Sequence, residues 1–181
     1  MRIISGKFGG QRLIIPRNLP IRPTTDIAKE GLFNILNNSI DFETVKVADL
    51  FAGSGSIGFE FISRGNKKLT FIENHHKCIK HLSNTAKKFC VEVNIITKDV
   101  FKEIKNLKKS YDIVFADPPY KLEDDKYLYL IKLIQRNILK NDDSILIIEH
   151  YKKRCFKNIK GYICSRSYGD CTFTFFKQKS G

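Results

Sequence analysis

Between residues 45 and 148, short apolar runs alternate with segments of helical periodicity, and this alternation restricts the fold more than any other feature of the chain. The strand-like runs are Val45–Leu50, Leu69–Glu73, Val93–Thr97, Tyr111–Ala116 and Ile145–Ile148. The segments between them carry apolar residues at helical spacing, as Ile79, Leu82 and Ala86 do. Because strands that alternate with helices pair in parallel, the pattern predicts a doubly wound α/β sheet, mostly parallel, with helices on both faces.

Two hairpins are predicted outside this alternation. Gly161–Cys164 and Thr172–Phe176 are apolar runs close together in the chain, which predicts an antiparallel C-terminal hairpin at the edge of the sheet. At the other end, two apolar runs separated by glycines predict a small basic hairpin over residues 1–20. At 181 residues we expect one domain, 1–181, with this hairpin as an extension and residues 21–181 as the sheet and its helices.

The charge balance is strongly basic, with 32 Lys and Arg against 19 Asp and Glu and a formal net charge of +13. Such an excess attracts polyanions, nucleic acid first among them. An AT-rich coding bias toward Lys, Ile and Asn is the alternative explanation. The N-terminus has no apolar run of the length of a signal peptide, and no run could cross a membrane, so a cytoplasmic protein is expected.

The five cysteines indicate neither a metal site nor a disulfide framework. Their number is odd, and no two of them form a C-x-x-C pair. Reduced cysteines with structural roles are therefore expected, and no metal is predicted. The cysteines are Cys78, Cys90, Cys155, Cys164 and Cys171.

Residues 49–58, the glycine loop, follow the first buried run and open a helix. They carry the spacing G-x-G-x-x-G at Gly53, Gly55 and Gly58, and Glu73 ends the next strand about 20 residues on. Glycines there permit a tight turn and close approach of a ligand to the backbone, and Glu73 can accept from ribose hydroxyls. The spacing fits a dinucleotide site, and a purely structural turn is the remaining alternative.

Asp49 favours S-adenosylmethionine over a dinucleotide as the cofactor. A carboxylate just ahead of the glycines would repel a pyrophosphate, but it suits a ligand with an ammonium and a sulfonium. After the third strand, Asp99 can receive the adenine amino group or cap the following helix. The residues predicted to bind the cofactor are Asp49, Ala52, Gly53, Ser54, Gly55, Glu73, Asn74, Asp99 and Val100.

The segment Asp117-Pro118-Pro119-Tyr120, directly after the fourth strand, is the most specific signal in the chain. Two prolines remove two backbone donors and leave carbonyls that can accept. Asp117 and the Pro118 carbonyl can accept the two hydrogens of an exocyclic base amine, and a base taken out of its helix can stack on Tyr120. The segment predicts methyl transfer to a base amine by positioning and charge stabilisation, with these four residues as the catalytic group. An ordinary Pro-Pro turn is the alternative.

Further motifs lie outside these two loops. Taken with the loops, they are Arg2-Ile3-Ile4-Ser5-Gly6, Gly10-Gln11-Arg12-Leu13, Arg22-Pro23-Thr24-Thr25-Asp26, Lys29-Glu30, Phe33-Asn34, Asp49-Leu50-Phe51-Ala52-Gly53-Ser54-Gly55, Asp117-Pro118-Pro119-Tyr120 and Tyr168-Gly169. Together they resemble the amino-methyltransferases with a D/N-PPY motif. Over nearly the whole chain they resemble one family in particular, the bacterial 16S ribosomal RNA guanine-N2 methyltransferases that act on guanine-966.

The resemblance implies a Rossmann-like, seven-stranded S-adenosylmethionine methyltransferase sheet with a small N-terminal hairpin. It implies a substrate in 16S ribosomal RNA, within the small ribosomal subunit or its assembly intermediate. It also implies that the segment 22–26 packs near the methionine end of the cofactor, which adds Thr24 to the cofactor-binding residues. Nothing demands more than a monomer. The residues predicted to contact RNA phosphates are Arg2, Lys7, Arg12 and Arg22.

Three other functions are open to a chain with these motifs. A DNA adenine-N6 methyltransferase would use the same Asp-Pro-Pro-Tyr chemistry, but no separate DNA-recognition domain is visible in 181 residues. A non-catalytic RNA-binding or assembly protein would be favoured by a broken glycine loop or an altered Asp-Pro-Pro-Tyr segment, and both are intact. A dehydrogenase ranks last, because Asp49 disfavours a dinucleotide.

Four smaller features keep two interpretations each. Residues 121–126 are either a solvated loop or helix start, or a lid over the base. The basic run Lys152-Lys153-Arg154 either tracks phosphates or is solvated surface. The adjacent His75 and His76 indicate a solvated helix end rather than a metal site. His150, expected to follow the fifth strand, is either structural or in contact with the substrate.

Overall fold

Seven strands form one sheet in the part of the chain that the computed structural model describes, residues 2–15, 24–108 and 110–178. Their order is β3-β2-β1-β4-β5-β7-β6. Neighbours among β1 to β5 run parallel, and β7 is antiparallel to both β5 and β6. This confirms the doubly wound fold with an antiparallel C-terminal hairpin. The strands are β1 (Val47–Leu50), β2 (Leu69–Ile72), β3 (Asn94–Ile96), β4 (Ile113–Ala116), β5 (Ile145–Tyr151), β6 (Tyr162–Tyr168) and β7 (Cys171–Lys177).

Helices cover both faces of the sheet. They are α1 (Asp26–Asn37), α2 (Ser56–Ser63), α3 (His76–Phe89), α4 (Val100–Glu103) and α5 (Asp124–Asn137). Successive strand side chains point to opposite faces, so Val47 packs with the first three helices and Ala48 with the last two. Burial on both faces explains why the strands are continuous apolar runs rather than alternating ones. In the described ranges, no helix is both long and apolar enough to span a membrane.

Helix α1 contains a glycine for a steric reason. The helix begins after Thr25, whose hydroxyl accepts from the Ala28 amide at 3.2 Å. A Cβ at Gly31 would lie 2.2 Å from the Tyr168 ring of β6. The missing side chain therefore makes room for Tyr168, which packs α1 against the C-terminal hairpin.

The predicted N-terminal hairpin is present, with Arg2 paired antiparallel to Arg12. Its buried apolar side chains belong to the same core cluster as those of α1 and α2; they are Ile3, Phe8 and Leu13. The predicted boundary at residue 20 lies outside the described residues. Because the hairpin shares a core with the sheet, we propose that the two form a single domain.

A buried carboxylate holds the hairpin onto α2. Glu60, fully buried, accepts from the amides of Ile4 at 2.7 Å and Ser5 at 3.0 Å. It also faces the ammonium of Lys29 at 3.7 Å and the guanidinium of Arg64 at 3.1 Å. Burial lowers the pKa of Lys29, and Glu60 opposes that shift. A buried charge left without these partners would be strongly destabilising, so the cluster fixes how the hairpin docks.

The end of β5 differs from the prediction. The strand continues past Ile148 to Tyr151, so His150 lies inside it rather than after it. Glu149 and His150 are buried polar residues, and they interrupt the apolar pattern from which the strand end was predicted. Pairing with β7 extends through both residues, because the antiparallel partner supplies backbone hydrogen bonds that the apolar pattern does not reveal.

Candidate functional site

A cavity of about 520 Å³ opens at the carboxyl ends of β1, β2 and β4. At this end of the sheet the strand order reverses beside β1, which has β2 on one side and β4 on the other. Open α/β sheets bind ligands at such a switch point. Most of the predicted site residues line it: Thr24, Asp49, Ala52, Gly53, Ser54, Glu73, Asn74, Asp117, Pro118, Pro119 and Tyr120. The cavity is also lined by residues that sequence reasoning missed: Phe51, Ser56, Ile57, His75, Phe115 and Lys121.

The glycine loop is shaped by steric limits and by Asp49. Gly53 and Gly55 have φ of 54° and 73°, the left-handed region that glycine adopts without strain. The amide of Gly58 donates to Asp49 Oδ2 at 2.9 Å, across the turn between β1 and α2. A Cβ at Gly58 would lie 2.2 Å from the Phe71 ring, so only glycine fits there without a shift. The loop therefore needs these glycines for its own geometry, whether or not a ligand is bound.

Glu73 holds the loop from the neighbouring strand. One carboxylate oxygen accepts from the Gly53 amide at 2.8 Å. The other accepts from the amides of Asn74 at 2.9 Å and His75 at 2.8 Å. An ionised carboxylate offers about four acceptor positions, so Glu73 keeps capacity for one more donor. Its contact with a ribose hydroxyl stays a prediction beside this structural role.

The floor of the cavity favours a cation. Asp49 is 2% exposed, and burial raises the pKa of its carboxyl well above the ordinary value, with Glu73 and Glu149 adding to the shift and the Gly58 amide opposing it. Asp117 lines the same cavity from β4. A positive group placed among these carboxylates would stabilise their ionised forms. These carboxylates therefore fit a ligand that carries an ammonium and a sulfonium, as S-adenosylmethionine does.

The Asp-Pro-Pro-Tyr loop, residues 117–122, faces the glycine loop across the cavity. It starts beside β1, where the Asp117 amide donates to the Leu50 carbonyl at 3.4 Å. The Pro118 carbonyl accepts from the buried Tyr127 hydroxyl at 3.3 Å. A carbonyl oxygen has two lone pairs, so this contact leaves room for an amine hydrogen. The two predicted acceptors, Asp117 and the Pro118 carbonyl, lie in one turn as the predicted chemistry requires.

Glu149 links Tyr120 of the Asp-Pro-Pro-Tyr loop to Thr24, and sequence reasoning missed it. This β5 carboxylate is 3% exposed. It accepts from the Tyr120 hydroxyl at 3.2 Å and from the Thr24 hydroxyl at 3.0 Å. The one available signal was a charged residue directly after an apolar strand, which a strand end explains equally well.

The basic run of residues 152–154 does not act as one surface. Arg154 is turned inward, with an 18% exposed side chain and its NH groups on the Tyr120 and Leu122 carbonyls. Lys152 pairs with Asp170 at 2.8 Å on the exposed side. The inward position of Arg154 fits neither of the two interpretations made from the sequence.

Three of the residues predicted to bind the cofactor do not line the cavity. Gly55 caps α2, and Asp99 caps α4 by accepting from the Lys102 amide at 3.1 Å. Val100 is buried in the core. None of these three lines the cavity, so their contacts with the cofactor remain predictions.

The residues predicted to contact RNA are exposed on the N-terminal hairpin where the structure describes them. Arg2, Lys7 and Arg12 have exposed side chains, and Arg2 lies 3.4 Å from Asp26. Arg22 falls outside the described residues. Their role in RNA binding remains a prediction.

The histidines at positions 75, 76 and 150 differ in their surroundings. His75 and His76 stack with ring centroids 5.1 Å apart, and within the described ranges no three His, Cys, Asp or Glu side chains cluster as a metal site. His150 is 1% exposed, and its Nε2 lies 2.7 Å from the Thr174 hydroxyl. Burial lowers the pKa of His150, which favours the neutral ring. These contacts support the structural interpretation of His150.

Comparison with known sequences gives a consistent result. Residues 1–177 match the model of the family described as Conserved hypothetical protein 95. The chain is 37% identical over 151 residues to the ribosomal RNA small subunit methyltransferase D of Buchnera aphidicola subsp. Baizongia pistaciae, covering 81% of this chain and 74% of that protein. It is 31% identical over 153 residues to the protein of the same name in Escherichia coli K12, covering 82% and 74%.

Comparison with solved structures gives the same fold. An Escherichia coli protein, yhhF, described as a methyltransferase, superposes with a TM-score of 0.82 at 23% identity, covering 100% of this chain and 99% of that one. The Thermus thermophilus 16S rRNA N2 G1207 methyltransferase, in complex with AdoMet and guanosine, superposes with a TM-score of 0.70 at 14% identity, covering 89% and 45%. At these identities the likeness shows a shared fold and nothing finer.

Proposed function

The chain belongs to the ribosomal RNA small subunit methyltransferase D family, and from this premise we propose that it transfers a methyl group from S-adenosylmethionine to the exocyclic N2 amine of a guanine in 16S ribosomal RNA. The observation that carries the proposal is that the Asp-Pro-Pro-Tyr loop and the glycine loop line one cavity. The residues for a base amine and those for a cationic cofactor therefore face each other. By resemblance to the family, the target is guanine-966.

S-adenosylmethionine supplies the methyl group from its sulfonium. The cavity volume of about 520 Å³ lies within the range of roughly 300–1,000 Å³ usual for such ligands. Asp49, Glu73 and Thr24 line the cavity, and we propose that they hold the cofactor, the first two as acceptors for its donors and positive groups. Gly53 lets the backbone approach it closely, because no side chain intervenes.

Asp117 and the Pro118 carbonyl orient the base amine. Each accepts one of the two amine hydrogens, so the nitrogen lone pair points toward the methyl donor. Of the two acceptors, only the Asp117 carboxylate can take up the proton that the amine releases on methylation. Tyr120 offers its ring to the base. Positioning of this kind supplies much of the rate enhancement in reactions that need no strong base.

We propose that the substrate is 16S ribosomal RNA in the small subunit or an assembly intermediate, and that the enzyme acts in the cytoplasm as a monomer. The net charge of +13 supports an RNA partner, since Lys and Arg neutralise phosphates and release counterions. The exposed hairpin residues Arg2, Lys7 and Arg12, together with Arg22, are proposed to contact the RNA.

The deciding experiment measures transfer of labelled methyl groups from S-adenosylmethionine to small subunits that lack the modification. Free 16S RNA and plain DNA serve as parallel substrates, and nucleoside analysis identifies the product. N2-methylguanosine from the subunit or the RNA is the expected product. Methyladenine in DNA would keep the chemistry and overturn the substrate. Cofactor binding without transfer to any of them would favour a binding protein.

A further inference from the structure

The backbone of the Asp-Pro-Pro-Tyr loop is held by one guanidinium. The terminal NH groups of Arg154 donate to the Tyr120 carbonyl at 3.2 Å and to the Leu122 carbonyl at 2.6 Å, and Nε donates to Asp124 Oδ1 at 2.6 Å. The same guanidinium lies 4.4 Å from the centroid of the Tyr127 ring. A planar fork of fixed donors can meet this set of acceptors at once, which an ammonium cannot do.

The ring of Tyr120 is held from the opposite side. Its hydroxyl donates to the buried Glu149 at 3.2 Å, and Glu149 is itself fixed by the Thr24 hydroxyl at 3.0 Å. The Tyr151 ring lies beside it, with centroids 6.3 Å apart. Tyr120 is thus bound at its carbonyl and at its hydroxyl, by side chains from β5 and from the turn after β5.

The composition of the loop explains why the side chains that bind its backbone, Arg154 and Tyr127, are hydrogen-bond donors. Pro118 and Pro119 have no amide hydrogen, so neither can donate to a neighbouring strand. Their turn presents carbonyls instead. One of these, the Pro119 carbonyl, accepts a hydrogen bond within the loop from the Leu122 amide at 2.8 Å. Arg154 supplies side-chain donors to two further carbonyls of the loop, those of Tyr120 and Leu122.

We propose that Arg154 and Glu149 are positioning residues that hold Tyr120 at both ends, so that the Asp-Pro-Pro-Tyr loop is a preformed surface for the target base. The inference rests on the proposed function for the identity of the base. It chooses between the two interpretations of residues 121–126 and disfavours a lid that orders only over the bound base. Because the loop is already ordered, substrate binding does not incur the entropy cost of ordering it.

Loop order can be measured without any substrate, because the chain contains no tryptophan. Lys121→Trp places a single tryptophan, which can be excited selectively, at an exposed position of the loop. Time-resolved anisotropy of this variant should show little nanosecond motion. Adding Arg154→Lys should increase that motion while circular dichroism shows an intact fold. An unchanged anisotropy decay in the double variant would overturn the role of Arg154.

Kinetics separate positioning from phosphate binding. Arg154→Lys keeps the charge and loses the fork, so kcat should fall by about tenfold or more, with an unchanged Kd for S-adenosylmethionine. Lys153→Ala, an exposed neighbour in the same basic run, is the matched control and should leave kcat unchanged. If both variants instead raise KM for RNA in a salt-dependent way and spare kcat, Arg154 binds phosphate and the proposal fails.

Glu149 is tested by graded substitution. Glu149→Gln keeps an acceptor for the Tyr120 hydroxyl and should retain most of kcat. Glu149→Ala removes the acceptor, so most of kcat should be lost and the nanosecond motion of the tryptophan in Lys121→Trp should increase. Equal loss in both variants would contradict positioning through Tyr120. If the wild-type protein methylates no 16S RNA at all, the proposed function fails, while the anisotropy measurements still decide whether Arg154 and Glu149 hold the loop.

Discussion

The glycine loop and the Asp-Pro-Pro-Tyr loop face one cavity, but groups of opposite polarity hold their backbones. The glycine loop donates its amides to buried carboxylates, from Gly58 to Asp49 and from Gly53 to Glu73. The Asp-Pro-Pro-Tyr loop offers carbonyls to side-chain donors, Arg154 and Tyr127. Carboxylate acceptors therefore bind the backbone of the glycine loop, and side-chain donors bind the backbone of the Asp-Pro-Pro-Tyr loop.

The difference follows from glycine and proline. Glycine keeps its amide and permits left-handed turns, so a glycine loop can wrap its donors around a carboxylate. Proline lacks the amide and fixes φ, so a proline turn exposes carbonyls. The same carboxylates that hold the glycine loop give the cavity its preference for a cation. The carbonyls of the proline turn remain acceptors for an amine. We propose that in each loop the groups that stabilise the structure also determine which ligand groups can bind.

The largest expected effect comes from the acceptor on the proline side. Asp117→Ala should lower methyl transfer by about 100- to 1,000-fold, the usual effect of removing one group that stabilises a transition state. Cofactor affinity, to which Asp117 contributes as one of several carboxylates at the cavity, should fall far less than methyl transfer, and the unfolding midpoint should change little. Labelled-methyl transfer and calorimetric cofactor titration measure the two effects. Asp125→Ala, an exposed acid in the first turn of α5, is the control. Full transfer activity in Asp117→Ala would remove the amine-acceptor assignment.

The glycine side should respond to steric change rather than to loss of an acceptor. Gly58→Ala places a methyl group 2.2 Å from Phe71 and 3.0 Å from Asp49, so the free energy of unfolding should fall by about 1–3 kcal/mol. Urea unfolding measures the loss. Phe71→Leu in the Gly58→Ala background should restore part of it, because the smaller side chain makes room. No loss in Gly58→Ala, or no coupling with Phe71→Leu, would contradict this account.

The sequence predicted the parallel strands and both loops because each leaves a local signal. Strands such as β1 are buried on both faces and are therefore continuous apolar runs. The glycine spacing and the Asp-Pro-Pro-Tyr segment lie next to strand ends, so their place at one edge of the sheet followed from the parallel order. Local composition was enough to place the cavity and most of its lining.

The residues that hold the Asp-Pro-Pro-Tyr loop could not be predicted in the same way. Glu149 and Arg154 lie 29 and 34 positions from Tyr120, and their contacts arise only when β5 packs beside β4. In sequence, Glu149 marks a strand end and Arg154 belongs to a basic run. The antiparallel pairing of β5 with β7 extends the strand through Glu149 and His150, so Glu149 is buried inside the strand rather than exposed at its end.

Substitution of Asp49 tests whether this carboxylate of the glycine loop contributes to cofactor binding or only to the stability of the fold. Burial raises the pKa of Asp49, so this group stabilises the fold below its unfolded pKa, and that contribution is lost as pH rises through the folded pKa. Asp49→Asn keeps an acceptor for Gly58 and removes the buried charge. Without ligand, its stability relative to wild type should therefore increase with pH in urea unfolding.

The same variant should bind S-adenosylmethionine about tenfold more weakly, or roughly 1.4 kcal/mol, because the cationic cofactor loses a carboxylate. Titration calorimetry measures this, with the exposed Asp143→Asn as the control. Unchanged affinity in Asp49→Asn would show that Asp49 serves only the loop.

The smallest effect is expected from the Tyr120 hydroxyl. Tyr120→Phe removes the hydrogen bond to Glu149 and keeps the ring, so kcat should fall by roughly fivefold, about 1 kcal/mol for one hydrogen bond. Tyr120→Ala also removes the stacking surface and should lower transfer further, with the cofactor Kd unchanged in both variants. Steady-state kinetics on the RNA substrate measure the difference. If the two variants lose the same amount, the ring contributes nothing beyond its hydroxyl, and the proline side of the cavity recognises the base amine through Asp117 and the Pro118 carbonyl alone.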